Sequence, residues 1–317
     1  MIRHAQWVKE GIAMPNWNDL LEEIRDKGSN FDIVRRGYLK KLRKLTKRNT
    51  IIYYSGWLQK PNVNQEGILI GDADKTGFMS AIHKLDHDKG LDLILHTPGG
   101  EMAATESIVD YLRSVFGTNI RAIIPQLAMS GGTMIACACK SIVMGKQSSL
   151  GPIDPQIGGG LAAHGVLEEF KTAYEECQQD PIKIQLWQPI IAKYNPTLIG
   201  ECEKAIKWSE EMVEEWLITG MLADETDKEE KARRIVKELG DHALTKSHRR
   251  HLSAEKCQEF GMKIEMLEDN QKLQEAVLAV HHACIHTLSS SPAFKIIENH
   301  QGTAFIQKHQ NVQIIPR

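Results

Sequence analysis

The chain has 317 residues, 42% hydrophobic and 25% charged, and its 39 basic and 41 acidic side chains leave a formal net charge of -2. That balance excludes a protein held to nucleic acid by a global basic field, and the length suits one main domain with helical extensions at about 100 to 200 residues per domain. No apolar run approaches the roughly 18 residues of a spanning helix, and the N-terminus lacks the apolar centre of a signal peptide, so no membrane or nucleic-acid partner is expected and the cytoplasm is the expected location.

In chain order, residues 17–47 carry apolar positions at helical spacing, among them Leu20, Leu21, Ile24, Val34, Tyr38, Leu39 and Leu42, with helix starts expected over 16–19 and 29–32. The basic run over 35–48, RRGYLKKLRKLTKR, reads as a solvated helix face rather than a nucleic-acid or lipid surface, since few aromatics accompany it. Residues 1–49 are therefore expected as an N-terminal helical extension. TIIYYSGWL over 50–58 is β-branched and aromatic and predicts a strand into a glycine turn. Asp72 and Asp74 precede a helix over 77–85 and read as caps rather than metal ligands.

LDLILH over 91–96 predicts a buried strand that ends in Thr97, Pro98, Gly99 and Gly100, followed by a helix over 103–115. RAIIPQLAMSGGTMIA over 121–136 repeats the unit: an apolar run, Ser130, two glycines, then a helix of small residues. A further strand over 141–144 and a turn over 148–152 follow. Successive strand-turn-helix units indicate an α/β fold with a largely parallel sheet, here a core over 50–200. Beyond Gly158, Gly159 and Gly160 the pattern is helical over 166–174, 182–194, 197–222 and 227–239. A turn over 248–253, a helix over 254–260, a short strand over 262–266 and a helix over 270–288 follow, making 201–317 a C-terminal helical region. The tail from Ser289 onward is expected to be irregular. The six cysteines are scattered, with no zinc spacing, and read as reduced and buried. No glycine fingerprint of a dinucleotide site is present, and no cofactor or metal is expected.

Ser130 on its tight turn is open to two readings: a helix cap, or a hydroxyl beside uncommitted backbone N–H groups where an oxyanion can be stabilised. The earlier glycine turn bears on the choice. If the two strands are adjacent, the N–H groups of Gly99 and Gly131 can converge beside the Ser130 hydroxyl, which is the geometry of an oxyanion hole with its nucleophile.

The stretches LILHTPGGEMAATESIVDYL and AMSGGTMIACACKSIVMGKQSSLGPIDPQ resemble the Clp protease and signal-peptide-peptidase group of serine peptidases, and more narrowly the serine dehydrogenase proteinases. The resemblance covers most of residues 48–171. It implies a ClpP/crotonase-type fold, peptide hydrolysis with Ser130 as nucleophile, Gly99 and Gly131 as oxyanion donors, and assembly into a homo-oligomer. In the Clp proteases the base is a histidine in the turn after the serine helix; here that turn is SLGPIDP, with Asp154 about where the histidine would stand. The signal-peptide-peptidase branch uses a lysine instead, and Lys171 in VLEEFKTAYEE matches that place, which implies a Ser-Lys dyad. Lys171 can act as a base only if burial lowers its pKa, and four glutamates surround it in sequence. His164 and His248 are the other candidate bases, the latter only if the C-terminal helices fold back. Lys140 and Lys146 are expected to be carried away from Ser130. Two other readings stand beside the peptidase: a crotonase-type enzyme acting on CoA thioesters, and a scaffold that keeps the fold without catalysis.

Overall fold

The computed structural model describes residues 20, 23, 31–158, 160–240 and 247–309. The helix start expected over 16–19 and most of the first expected helix lie outside them. Five strands form the parallel part of a seven-stranded sheet: β1 (Asn49–Ser55), β2 (Leu91–His96), β3 (Ile120–Ile124), β5 (Ser141–Met144) and β10 (Ile264–Met266). Two antiparallel strands, β11 (Ala293–Asn299) and β12 (Ala304–Lys308), extend it on the β1 side, giving the order β10-β5-β3-β2-β1-β11-β12. Helices cover both faces, so strands such as LDLILH are buried at every residue and read as continuous apolar runs.

On one face Leu91, Leu93 and Leu95 pack with the helices α3 (Asp72–Ile82) and α4 (Met102–Phe116), which follow α2 (Gln65–Ile68). On the other, Ile52, Tyr54 and Ile94 pack against α1 (Phe31–Thr46) and a long C-terminal helix over residues 271–290. A small second sheet joins β4 (Leu127–Ala128), β6 (Ser149–Leu150) and β9 (Leu252–Ser253), and β7 (Gln156–Ile157) pairs with β8 (Leu161–Ala162). The helix α5 (Gly131–Cys137) follows Ser130, and α6 (Ala163–Gln179), α7 (Ile184–Ile191), α8 (Leu198–Thr219) and α9 (Lys228–Gly240) make the outer helical layer. Two further helices follow, α10 (Ala254–Phe260) and α11 (Gln271–Ser290). The result is a mixed α/β molecule with a mostly parallel central sheet.

Two expectations change here. The tail is a β-hairpin instead of an irregular extension, and β10, β11 and β12 all join the central sheet, so the expected C-terminal helical region contributes three of its seven strands. The hairpin is hidden in the sequence because its charged residues are buried: Lys295 and Glu298 have their partners in Asp74 and Arg35, more than 200 residues earlier. Arg35 also departs from the solvated-face reading of the basic run. It is fully buried, 2.6 Å from Glu298 and 2.8 Å from Asp32, whereas Lys40, Lys41 and Lys44 of the same helix are exposed. Among the described residues no helix is long and apolar enough to cross a membrane.

Candidate active site

Ser130 sits where β4 ends and α5 begins. The C-terminal end of β2 meets β4 there, with Thr97 N–H donating to Leu127 O (3.1 Å) and Met129 N–H donating to Thr97 O (3.0 Å). The Ser130 backbone has φ 50° and ψ -118°, a region that glycine adopts freely and a serine enters only at a cost of about 1 to 3 kcal/mol. Its hydroxyl makes no capping bond to α5. A cap that does not cap leaves the strain without a stabilising purpose in the helix. This is the conformation of a nucleophile elbow, which thrusts a hydroxyl out of a strand-to-helix turn. Thr133 braces the turn from behind: its hydroxyl donates to Ala128 O and accepts from Gly151 N–H, both at 2.9 Å.

The glycine turn after β2 lies directly against the serine. A Cβ at Gly99, whose φ is 96°, would stand 2.5 Å from Ser130 Cβ and 2.8 Å from Met129 O, so any side chain there collides with the elbow. A Cβ at Gly100 would stand 2.2 Å from the Ile70 amide nitrogen. The two glycines are pinned by an isolated parallel bridge, in which Ile70 N–H donates to Gly99 O (2.8 Å) and Glu101 N–H donates to Ile70 O (2.9 Å).

This pairing alters which amides are available. The Gly99 N–H, expected as an oxyanion donor, donates to Thr97 Oγ1 at 3.1 Å. The Gly100 N–H is directed away from Ile70 by the bridge, and neither it nor Gly131 N–H has an acceptor among the described residues. Gly100 N lies 3.5 Å from where a Gly131 Cβ would be, so the two open amides flank Ser130 together. Thr97, two residues before Gly99, is the spacing of a hydroxyl turn and is the sequence signal that points past Gly99 to Gly100.

The segment that clamps the glycine turn is itself held from below. Ser55 Oγ donates to Ile68 O (2.7 Å), Lys295 Nζ donates to Leu69 O (2.7 Å), and Gly71 N–H donates to Asp74 Oδ2 (3.1 Å). Lys295 also bonds both Asp74 oxygens at 2.9 Å, and Tyr53 OH donates to Asp74 Oδ2 at 2.7 Å. Burial pushes the Lys295 ammonium below its ordinary range, with Asp74 acting against that, and burial raises the Tyr53 phenol well above its own. Asp74 thus caps α3, and no group of three or more His, Cys, Asp or Glu suited to a metal occurs among the described residues. On the opposite face of β2, His96 is fully buried among Tyr54, Trp57 and His281, and burial pulls its pKa down to about 3. Cys137, the last residue of α5, and Cys139, just beyond it, are free and buried; burial pushes the Cys139 thiol up to about 12, far from a competing thiolate.

The candidate bases separate clearly. Lys171 lies on α6 with its side chain 76% exposed and its ammonium 3.9 Å from Glu175. His164 lies in the first turn of the same helix, on the side near Glu210 of α8, whose carboxyl is raised chiefly by burial. Lys140 N–H donates to Ile120 O at the start of β3, the end of the sheet opposite Ser130, and Lys146 N–H donates to Glu268 beyond β5. His248 is brought back to the Gly-Pro-Ile-Asp-Pro turn, where Nδ1 lies 2.8 Å from Asp154 Oδ1. Asp154 is buried, and its other oxygen accepts from Gln156 Nε2 at 3.1 Å.

Two proteins of Methanocaldococcus jannaschii are similar to this chain. The uncharacterized protein MJ1495 is 34% identical over 191 residues, which cover 60% of this chain and 57% of that protein. The uncharacterized protein MJ0137 is 44% identical over 85 residues, 27% of this chain and 29% of that protein. The chain thus spans under two thirds of the length of each. The model of the family described as ClpP-like SDH-type serine proteinase matches residues 65–279, which include both glycine turns, Ser130 and the Asp154 turn. With that match over most of its length, the chain belongs to the ClpP-like SDH-type serine proteinase family.

Proposed function

We propose that the protein hydrolyses peptide bonds in peptide or protein substrates through Ser130. The observation that carries this is the elbow itself: a serine at φ 50° whose hydroxyl makes no cap, flanked by the open N–H groups of Gly100 and Gly131. As Ser130 Oγ attacks the scissile carbonyl, negative charge moves onto the carbonyl oxygen. Two fixed amide donors meet that charge without reorganisation, and removing one such donor from an oxyanion hole typically costs about 100- to 1,000-fold in rate. The arrangement favours a peptidase over a CoA-thioester enzyme, because only the former needs a hydroxyl between the donors. A serine attacks only when a base takes its proton. The resemblance favours Lys171, but a lysine is neutralised by burial, and this one is in water beside Glu175.

A serine-directed fluorophosphonate probe tests the reading. Wild type is expected to label in a time-dependent manner and Ser130→Ala not at all. A folded wild-type protein that takes no label from neutral to alkaline pH, or a Ser130→Ala protein that labels equally, overturns it.

Self-association belongs to the same reading. The arm of α6 and α7 exposes Ile182 (73%), Leu186 (68%) and Tyr174 (66%), together with parts of Ile184 and Ile190. An apolar patch of this kind on a charged, near-neutral protein suits a contact with a second copy of the chain. Ile182→Asp with Leu186→Asp is expected to shift the sedimenting species to monomer; a wild type already monomeric at micromolar concentration removes the proposal.

A further inference from the structure

We propose that the buried pair Lys295 and Asp74 positions the oxyanion donor of the Ser130 site. The pair holds the two peptide groups of Ile70 that aim the Gly100 N–H, and Tyr53 ties Thr97 into the same unit. The inference rests on Ser130 being the nucleophile and Gly100 an oxyanion donor, as proposed above. Lys295, Asp74 and Tyr53 are positioning residues: each acts through the backbone of the glycine turn and none touches the substrate.

Gly100 has no side chain to be packed, so the direction of its N–H is set by the bonds its neighbours make. Ile70 makes two of them. Its N–H donates to Gly99 O at 2.8 Å, and its carbonyl accepts from Glu101 N–H at 2.9 Å. In a parallel bridge of this kind the intervening residue turns its own N–H to the other side. The far ends of the same two peptide groups are bonded to the ion pair. Leu69 O, in the peptide that supplies the Ile70 N–H, accepts from Lys295 Nζ at 2.7 Å. Gly71 N–H, in the peptide that supplies the Ile70 carbonyl, donates to Asp74 Oδ2 at 3.1 Å. Lys295 Nζ closes the loop, 2.9 Å from both Asp74 oxygens.

Each charge stands where its sign helps. A cation on a peptide oxygen makes the N–H of that peptide a stronger donor, and an anion on a peptide N–H makes the carbonyl a stronger acceptor, because bonds in a chain polarise one another. Lys295 therefore strengthens the bond from Ile70 to Gly99 O, and Asp74 strengthens the bond from Glu101 to Ile70 O. Stability alone does not call for two buried ions, since an apolar pair of similar volume is often as stable. Lys295 is nonetheless 2% exposed and Asp74 wholly buried.

A second arm runs from Asp74 to the other glycine. Tyr53 OH donates to Asp74 Oδ2 at 2.7 Å, and the Thr97 hydroxyl acts on that phenol as a hydrogen-bond partner. With its proton turned to Tyr53, Thr97 Oγ1 presents a lone pair to the Gly99 N–H at 3.1 Å. The Gly99 amide is thus engaged and the Gly100 amide is left for the oxyanion. A donor fixed in this way meets the developing charge without being turned during the reaction. A misplacement of about 1 Å can cost about 100-fold in rate, and a loss of this kind falls in kcat rather than in KM.

The experiment takes the full chain as wild type, Ser130→Ala, Tyr53→Phe, Tyr54→Phe, and Lys295→Met combined with Asp74→Leu, with circular dichroism and a thermal melt for each. The readouts are the fluorophosphonate labelling rate and the hydrolysis of p-nitrophenyl acetate and of its thiono analogue, in which sulfur replaces the carbonyl oxygen. Sulfur is a weak acceptor, so the ratio of the two hydrolysis rates reports the oxyanion donors. Tyr54→Phe is the control: Tyr54 is the next residue of β1, equally buried, and its hydroxyl bonds His281 Nδ1 (3.1 Å) on the opposite face of the sheet.

The double variant is expected to melt near wild type, to label about 100-fold more slowly, to lose kcat with KM little changed, and to lose most of its preference for oxygen over sulfur. Tyr53→Phe is expected to show the same pattern at about 10-fold, the scale of one hydrogen bond, and Tyr54→Phe to label at the wild-type rate. A folded double variant that labels at the wild-type rate, or whose loss lies in KM with the oxygen-to-sulfur ratio unchanged, overturns the positioning role and leaves the serine peptidase standing. Equal slowing by Tyr54→Phe and Tyr53→Phe overturns it too, because any lost core hydroxyl would then do the same. Where the double variant does not fold, Tyr53→Phe removes one oxygen and no charge, and an unchanged ratio there has the same force. Labelling or hydrolysis that does not depend on Ser130 overturns the peptidase reading and this inference with it.

Discussion

Two lysines in two regions of this molecule carry opposite lessons. Lys171 lies on the outer arm among glutamates, exposed to water and 3.9 Å from Glu175. Lys295 lies in the core beneath the glycine turn, almost wholly buried, bonded to Asp74 and to the carbonyl of Leu69. The first was expected as a base only from a resemblance to the signal-peptide-peptidase branch, and it has the environment of a surface side chain. The second belongs to a tail that looks irregular in sequence and has the environment, though not the freedom, of a perturbed lysine. Its ammonium is spent on a carboxylate and a carbonyl, so it supports the site rather than reacting in it. Proximity in sequence to a motif therefore says little about burial, which is set by which distant strand arrives.

Substitutions at each end of this contrast sharpen it. Lys295→Ala strands a buried carboxylate at Asp74 and is expected to cost about 3 to 5 kcal/mol in chemical denaturation, whereas Lys295→Met combined with Asp74→Leu should recover most of that loss. A double variant as unstable as the single would show that the pair is not the unit proposed. An effect spread over the acid range, and absent near neutral pH, comes from His96, whose pKa is about 3 in the folded protein against an ordinary 6.5. Above pH 6.5 the imidazole is neutral in both states and contributes nothing. Between pH 6.5 and about 3 the unfolded chain binds the proton and the folded one does not, so His96 lowers stability by about 1.4 kcal/mol per pH unit as the pH falls. His96→Leu should flatten the acid limb of the stability curve by that slope, and an unchanged slope would contradict the burial that sets it. Lys171→Ala, at the other extreme, should change stability by less than about 0.5 kcal/mol, as exposed ion pairs do.

Much of the fold was legible because apolar runs and glycine turns report local structure. The strands over 91–96 and 141–144 and the helix over 254–260 coincide with β2, β5 and α10, and the strand-turn-helix rhythm carried the α/β class. Features that depend on tertiary pairing were not legible. The β11–β12 hairpin buries Lys295 and Glu298, and no local pattern reveals a buried charge whose partner lies in another element. His248 and Asp154 are 94 residues apart, and only the β6–β9 pairing joins them. At the glycine turn the engagement of the Gly99 N–H by Thr97 was not anticipated, and a hydroxyl two residues upstream was the available sign. Ser130 itself stood out by its setting, while its strained backbone could be seen only in three dimensions.

The clamp from Lys295 to Leu69 O joins residues 226 positions apart. During synthesis at about 5 to 20 residues per second, the strand that carries Lys295 follows the segment it holds by roughly 10 to 45 seconds. Over that interval Asp74 has no cation, Leu69 O has no donor, and the stretch that pins Gly99 and Gly100 is held only from one side. The strand that holds this segment from below thus arrives well after the glycine turn it steadies, so in a nascent chain Ser130 and its two glycine turns are made before their support is complete.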